Sequence, residues 1–280
     1  MNDPIRLGIF GFPVAHSKSP EMHGAAARAL GIALEYERFE VEPAGLADAV
    51  SARHAGGIHG YNVTVPHKQA VMALVDDVSP AARAIGAVNT VVRTNDRYVG
   101  HNTDAPGFVR SLEEAGVQLE DARVVMVGAG GAALAGVVGV AEAGAAEIAV
   151  LARRPEQAES LVEALDEHVQ CPLEAAPLSE ASWHFDGATL LVQATSATLE
   201  SNPHAAEFAA GLPIESLPAS AAVIDMVYKP RITAVLARAD KRGLRTVDGL
   251  GMLLHQGAIA FEMWTGQSPP IDVMRAALET

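Results

Sequence analysis

Cysteine is almost missing from this 280-residue chain: Cys171 stands alone. That excludes an intrachain disulfide and a zinc site built from cysteines. Aromatic residues supply only 5% of the chain, so a core must be made from Leu, Ile, Val and Ala. Positive charge is scarce too, with 20 Lys and Arg against 34 Asp and Glu and a formal net charge of −14. This balance argues against a nucleic-acid partner and against docking on an anionic membrane. It does not exclude a small anionic substrate, which needs only one or two local cations. The 10 histidines are scattered without His-x-x-x-His spacing, so no metal is expected. The opening residues, Met1-Asn-Asp-Pro-Ile-Arg, carry no apolar signal core, which points to a soluble cytoplasmic protein. Internal repeats and low-complexity segments are lacking as well.

Hydrophobic residues, by contrast, make up 49% of the chain, enough for one large or two medium domains. One uncharged run, Val124 to Ala141, has the length of a membrane span. It is rich in Gly and Ala and poor in Leu, Ile and Phe, so insertion would gain little. Its pattern says something else. Val124 to Val127 reads as a short strand buried on both faces. Gly128-Ala129-Gly130-Gly131 breaks that strand, and a helix of small residues starts at about Ala132. A dinucleotide site requires this order. One glycine makes the tight turn and another lets the backbone approach the pyrophosphate. A small Ala133 lets helix and strand pack closely, and the helix N-terminus offers unpaired N–H groups to phosphate.

The next strand, Glu147 to Ala152, ends where an NAD-binding chain places Asp or Glu for the ribose 2′-hydroxyl. Here Ala152 is followed by Arg153 and Arg154, the cations that the 2′-phosphate of NADP calls for. Thr189 to Gln193 then reads as a third strand leading to Thr195, and Ala222 to Asp225 as a fourth leading to Met226 and Tyr228. Arg245 to Val247 is read as a fifth, and Asp248-Gly249 opens the last long helix, from about Met252 to Phe261.

The first hundred residues have another character. Strands are expected at Ile5 to Phe10, Leu34 to Val41, Ile58 to Val65 and around Asn89-Thr90, with Thr94 to Arg97 as a hairpin turn. Helices are expected at Pro20 to Leu30, with Ser19 as N-cap, at Pro43 to Arg53 and at Thr103 to Ala115. Ser17, Ser19, Asn62, Thr64, Lys68, Asn89 and Asp104 fall at the ends of successive elements. Short hydroxyls, amides, one cation and one carboxylate suit a small polyhydroxylated acid.

Taken together, the motifs Gly-Phe-Pro-Val-Ala-His-Ser17-Lys-Ser19-Pro, Asn62-Val-Thr64-Val-Pro-His-Lys68, Gly86-Ala-Val-Asn89-Thr, Asn102-Thr-Asp104, Gly128-Ala-Gly-Gly-Ala132, Asp225-Met-Val-Tyr228 and Asp248-Gly-Leu-Gly-Met-Leu-Leu-His-Gln256 resemble the shikimate dehydrogenase family, in family order across nearly the whole chain. The resemblance implies a two-domain α/β fold. Residues 1–104 with 250–280 would form the substrate domain, and 105–249 a Rossmann-type NADP-binding domain. It implies reversible reduction of 3-dehydroshikimate to shikimate, on the route to aromatic amino acids, by a monomer or homodimer. Substrate contacts are implied for Ser17, Ser19, Asn62, Thr64, Asn89, Tyr228 and Gln256, with Lys68 and Asp104 at the reacting hydroxyl. Cofactor contacts are implied for Gly128, Ala129, Gly130, Gly131, Ala132, Ala152, Arg153, Arg154, Thr195, Met226 and Gly249. Two departures fall on the cofactor side. The family's Asn-Arg-Thr is Ala152-Arg153-Arg154 here, and its Asn-Ala-Thr-Ser-Gly is Gln193-Ala-Thr-Ser-Ala197. The rival readings are a quinate/shikimate or aminoshikimate dehydrogenase, or a non-catalytic NADP-binding sensor on the same fold.

Overall fold

A computed structural model describes residues 3–279. The chain divides into two compact units, one formed by Met1–Thr103 with Gln256–Thr280 and the other by Asp104–His255. The second boundary falls inside a helix, a few residues beyond the Asp248-Gly249 turn where the sequence suggests it.

The first unit is built on a six-stranded sheet in the order β2-β1-β3-β5-β6-β4. Its strands are β1 (Ile5–Gly11), β2 (Leu34–Glu40), β3 (Gly60–Val63), β4 (Asp77–Val78), β5 (Thr90–Thr94) and β6 (Arg97–His101). All run parallel except β5, which is antiparallel to both β3 and β6. The hairpin β5–β6 turns at Asn95 and Asp96, both with positive φ, as short Asn/Asp turns of this kind require. The helices are α1 (Ser19–Leu30), α2 (Leu46–Ala55) and α3 (Pro80–Ile85). One face of the sheet buries Phe10, Tyr61, Val63 and Val91 with α2.

The second unit begins with α4 (Asp104–Glu114) and then winds strands and helices in turn. They are β7 (Arg123–Val127), α5 (Gly131–Glu142), β8 (Glu147–Ala152), α6 (Pro155–Leu165), β9 (Leu173–Pro177), α7 (Ala181–Phe185), β10 (Leu190–Gln193), α8 (Ala205–Gly211), β11 (Ala222–Asp225), α9 (Ala234–Lys241) and β12 (Arg245–Val247). The sheet is wholly parallel, in the order β12-β11-β10-β7-β8-β9. Counted within the unit this is the doubly wound 3-2-1-4-5-6 order, whose ligand crevice lies at the strand C-termini where the winding reverses, between β7 and β10. Helix α10 (Leu250–Thr265) starts in this unit and ends in the first, followed by α11 (Ile271–Glu279). Within the first unit, Trp264 of α10 donates from Nε1 to the Val91 carbonyl at 2.9 Å, fastening the helix to β5.

Four local expectations are corrected. The sequence carries no clear signal for strand β9, so Thr189 to Gln193 belongs to the fourth strand of its unit in chain order rather than the third. β9 is an edge strand, half exposed and ending in proline, and lacks the buried β-branched run that marks β7. Helices α7 and α8 fall in what reads as loop. Ser19 is the first helical residue, not the cap: Lys18 holds the N-cap position without a side-chain bond. The Ile58 to Val65 strand shortens to Gly60–Val63, because Thr64 to His67 closes a turn in which His67 N–H donates to the Thr64 carbonyl at 2.9 Å.

Candidate active site

In the first unit the chemistry-bearing side chains form one buried polar row. Tyr36 on β2 donates from its hydroxyl to Asn62 Oδ1 at 2.6 Å. Asn62 Nδ2 faces the Asn89 carbonyl at 3.2 Å and Thr90 Oγ1 at 3.1 Å. A carbonyl can only accept, so this pairing fixes which end of the Asn62 amide is nitrogen. Both N–H groups are therefore committed, and toward a ligand Asn62 can only accept. Asn89 takes the Thr103 backbone N–H on Oδ1 at 2.8 Å and gives one amide N–H to Thr103 Oγ1 at 3.0 Å. Its second N–H has no protein acceptor among the described residues. Thr103 in turn reaches Gln256 Oε1 at 3.5 Å, at the long limit of a hydrogen bond. The sequence pattern does not single out Tyr36 or Thr103. Burial pushes the Tyr36 phenol well above its ordinary pKa, with the Ser19 hydroxyl and Arg38 opposing, so it stays a donor.

At the mouth of this row Ser17 donates to Ser19 Oγ at 3.2 Å and accepts the Ser19 N–H at 3.3 Å. Arg38 pins the loop by donating to the Ser17 carbonyl at 2.6 Å while pairing with Glu21. Lys68 is half-buried just past β3. Its own carbonyl accepts from Val88 N–H at 2.8 Å. The neighbouring His67 is buried, and its Nε2 lies 2.7 Å from the Val41 carbonyl. That carbonyl can only accept, so Nε2 carries the hydrogen. His67 is thus the anchor of the lysine's loop, and the spacing of the sequence gives no hint of a contact so distant along the chain.

In the second unit the residues expected at a nucleotide gather at strand C-termini. Gly128, after β7, has φ +117°, and a Cβ there would meet Thr195 Cγ2 at 2.7 Å. Only glycine fits. Around Gly130 and Gly131 the space is open, with no atom of the described residues within 4 Å of a Cβ. Among the described residues no side chain caps the start of α5, so its first N–H groups are left for an anion. Ala132 is in the first turn of α5 and half-buried, Ala129 half-buried in the turn before it. Ala152 is buried at the end of β8, and Arg153 and Arg154 follow it, exposed and without side-chain partners among the described residues. Gly249 is pressed against β11's exit: a Cβ would lie 2.3 Å from the Met226 carbonyl oxygen. Tyr228 is exposed two residues past Met226, and Asp104 is buried as the first residue of α4. Sequence spacing undervalues two fully buried side chains of this unit, Gln193 and Asp225.

The described residues contain no group of three or more His, Cys, Asp or Glu placed to hold a metal, and no helix long and apolar enough to cross a membrane. An uncapped helix start beside open glycines, followed by the two exposed arginines, fits the pyrophosphate and 2′-phosphate of NADP.

Comparison with known proteins agrees with this arrangement. Residues 9–91 match the family description "Shikimate dehydrogenase substrate binding domain", residues 111–251 match "Shikimate / quinate 5-dehydrogenase", and residues 249–279 match "Shikimate 5'-dehydrogenase C-terminal domain". The shikimate dehydrogenase (NADP(+)) of Symbiobacterium thermophilum is 44% identical over 97% of this chain and 92% of its own. A structure of shikimate 5-dehydrogenase from Thermus thermophilus in complex with NADP(H) and shikimate superposes with TM-score 0.86 at 37% identity, covering 98% of both chains. The quinate dehydrogenase of Corynebacterium glutamicum, in complex with NAD, gives TM-score 0.91 at 32% identity over 99% of both.

Proposed function

The chain belongs to the shikimate dehydrogenase family, and from that premise we propose that it catalyses the reversible NADP-dependent reduction of 3-dehydroshikimate to shikimate. The observation that carries this reading is the hydroxyl-and-amide row of the first unit. It offers donors and acceptors in the number a ring acid with several hydroxyls needs. When bound, NADPH supplies the hydride; the residues of the chain do the rest.

Ser17 and Ser19 exchange their long mutual hydrogen bond for the substrate carboxylate, whose charge makes the new bonds stronger. Asn89 gives its remaining N–H to a ring hydroxyl, and Asn62 accepts from one. Thr64, Gln256 and Tyr228 complete the substrate contacts. Reduction of the ketone generates an alkoxide that must take a proton, and Lys68 is the acid that gives it; in the reverse direction it is the base. Its charge also stabilises the alkoxide as it forms. Asp104 binds a hydroxyl next to the reacting carbon. Gly128 to Ala132, Ala152, Thr195, Met226 and Gly249 line the nucleotide, and Arg153 and Arg154 read its 2′-phosphate. The enzyme works in the cytoplasm as a monomer or homodimer.

The test follows nicotinamide absorbance with shikimate or quinate as substrate, each with NADP or NAD. Shikimate with NADP is expected to give the highest kcat/KM. A faster reaction of quinate with NAD would assign the chain to the quinate branch, and no turnover with any pair would support the sensor reading.

A further inference from the structure

The loops after β10 and β11 share a backbone bond, Glu200 N–H to the Lys229 carbonyl at 3.2 Å, but their first residues are also gripped by two buried side chains. Gln193, the last residue of β10, is fully buried. Its Oε1 accepts the Thr195 N–H at 2.5 Å while its Nε2 donates back to the Thr195 carbonyl at 3.0 Å. One side chain thus grips both polar groups of a residue two positions ahead. The same Nε2 lies 2.8 Å from Thr198 Oγ1 and 3.0 Å from Asp225 Oδ1. An amide nitrogen has two hydrogens for these three acceptors, so at least one bond is shared.

Asp225, the last residue of β11, is equally buried. Oδ1 accepts from Gln193, from Thr198 Oγ1 at 3.1 Å and from the Val227 N–H at 3.0 Å. Oδ2 accepts from Thr233 Oγ1 at 2.6 Å. Burial pushes this carboxyl above its ordinary pKa, against four donors that favour the ionised form. A carboxylate placed this deep needs every one of them.

The two clamped segments meet the nucleotide turn and the β12 turn. Thr195 Cγ2 occupies the space a Cβ on Gly128 would need, and the Val227 carbonyl accepts the Gly249 N–H at 3.4 Å. We propose that Gln193 and Asp225 are positioning residues for the nucleotide, two buried side chains that set the backbone of the β10 and β11 loops around the NADP site. The proposal deepens the functional reading above and rests on it. Neither residue touches the nucleotide. Both act through Thr195 and Val227.

The variants to compare in the full-length chain are Gln193→Leu, Asp225→Asn and Thr198→Val, with three readouts each. These are NADPH dissociation constant by fluorescence titration without substrate, KM for shikimate at saturating NADP, and thermal midpoint. Gln193→Leu is expected to weaken NADPH about tenfold or more while KM for shikimate stays within about twofold. Asp225→Asn should show the same split, and Thr198→Val a smaller one. A folded Gln193→Leu that binds NADPH as tightly as the parent overturns the proposal. So does a loss of NADPH and shikimate affinity in step with the thermal midpoint, since that is what a residue of general stability would give. Should Gln193→Leu or Asp225→Asn fail to fold, Thr198→Val decides by the same split. The parent chain's own NADPH titration tests the functional reading separately.

Discussion

Lys68 differs from an ordinary surface lysine in how little freedom its backbone has: its carbonyl is taken by Val88 and the preceding His67 is fastened to Val41. A proton donor must be placed, not merely present. Replacing Lys68 with Ala is expected to lower kcat by roughly 10²–10⁴-fold, the usual span for a lost general acid, with KM for shikimate nearly constant. Steady-state kinetics at saturating NADP decide it. A kcat within a few-fold of the parent and a steep rise in KM would make Lys68 a binding residue only. Ser17 and Ser19 should behave in the opposite way. Each hydroxyl bonded to a charged acceptor contributes on the order of 1.5–3 kcal/mol, so Ser17→Ala or Ser19→Ala should raise KM for shikimate about tenfold or more. An unaltered KM would reduce the pair to a local loop contact.

Among the elements, the segment that joins β8 to α6 has the clearest consequence. Arg153 and Arg154 are exposed where the β-strand stops, and Arg154 is the N-cap residue of α6. Arg153→Ala is expected to raise KM for NADP several-fold and leave KM for NAD nearly unchanged; parallel titrations with the two cofactors show which. Equal damage to both would mean that the side chain does not read the 2′-phosphate. The nucleotide-binding half was legible in the sequence because its signals are local: a buried β-branched run and a glycine break from β7 to α5, then basic residues in place of an acid after β8. β9 was not legible, since an edge strand needs little apolar side chain to pair with β8. Nor were Tyr36, His67 or the Gln193–Asp225 grip. Their partners lie 26, 26 and 32 residues away, and a hydrogen bond over such a separation leaves no periodicity to read. Asn62 was legible as a polar residue near a strand's end, but its full commitment to Tyr36, Asn89 and Thr90 was not.

For the molecule as a whole, pH acts on stability through a residue that the reaction does not use. His23 on α1 is fully buried, stacked between Tyr36 and Phe261 with Trp264 at its edge, and neither ring nitrogen has a hydrogen-bond partner among the described residues. Burial lowers its pKa to about 3, with the nearby Asn62 amide opposing. The unfolded chain carries an ordinary histidine of pKa about 6.5. Above that pH the residue is neutral in both states and has no effect. As pH falls from 6.5 toward 3, the unfolded chain binds a proton that the folded chain refuses, so stability drops. At pH 5 the loss is about 2 kcal/mol by this linkage. Denaturant unfolding at pH 7 and pH 5 should therefore show a steeper decline for the parent than for His23→Phe, by about that amount. Identical slopes would mean that His23 is protonated in the folded chain.

Phe261 and Trp264, which enclose that histidine, come from the tail of the chain, while His23 and Val91 come from its beginning. A ribosome emits the strands of the first unit early, then the whole of the second unit, and only last the helices α10 and α11. The second unit is therefore whole once residue 255 is supplied, while the first still waits with an uncovered face on its sheet. A chain ending at His255 would then hold a protease-resistant second unit and a digestible first one, and limited proteolysis of the full chain would find both resistant.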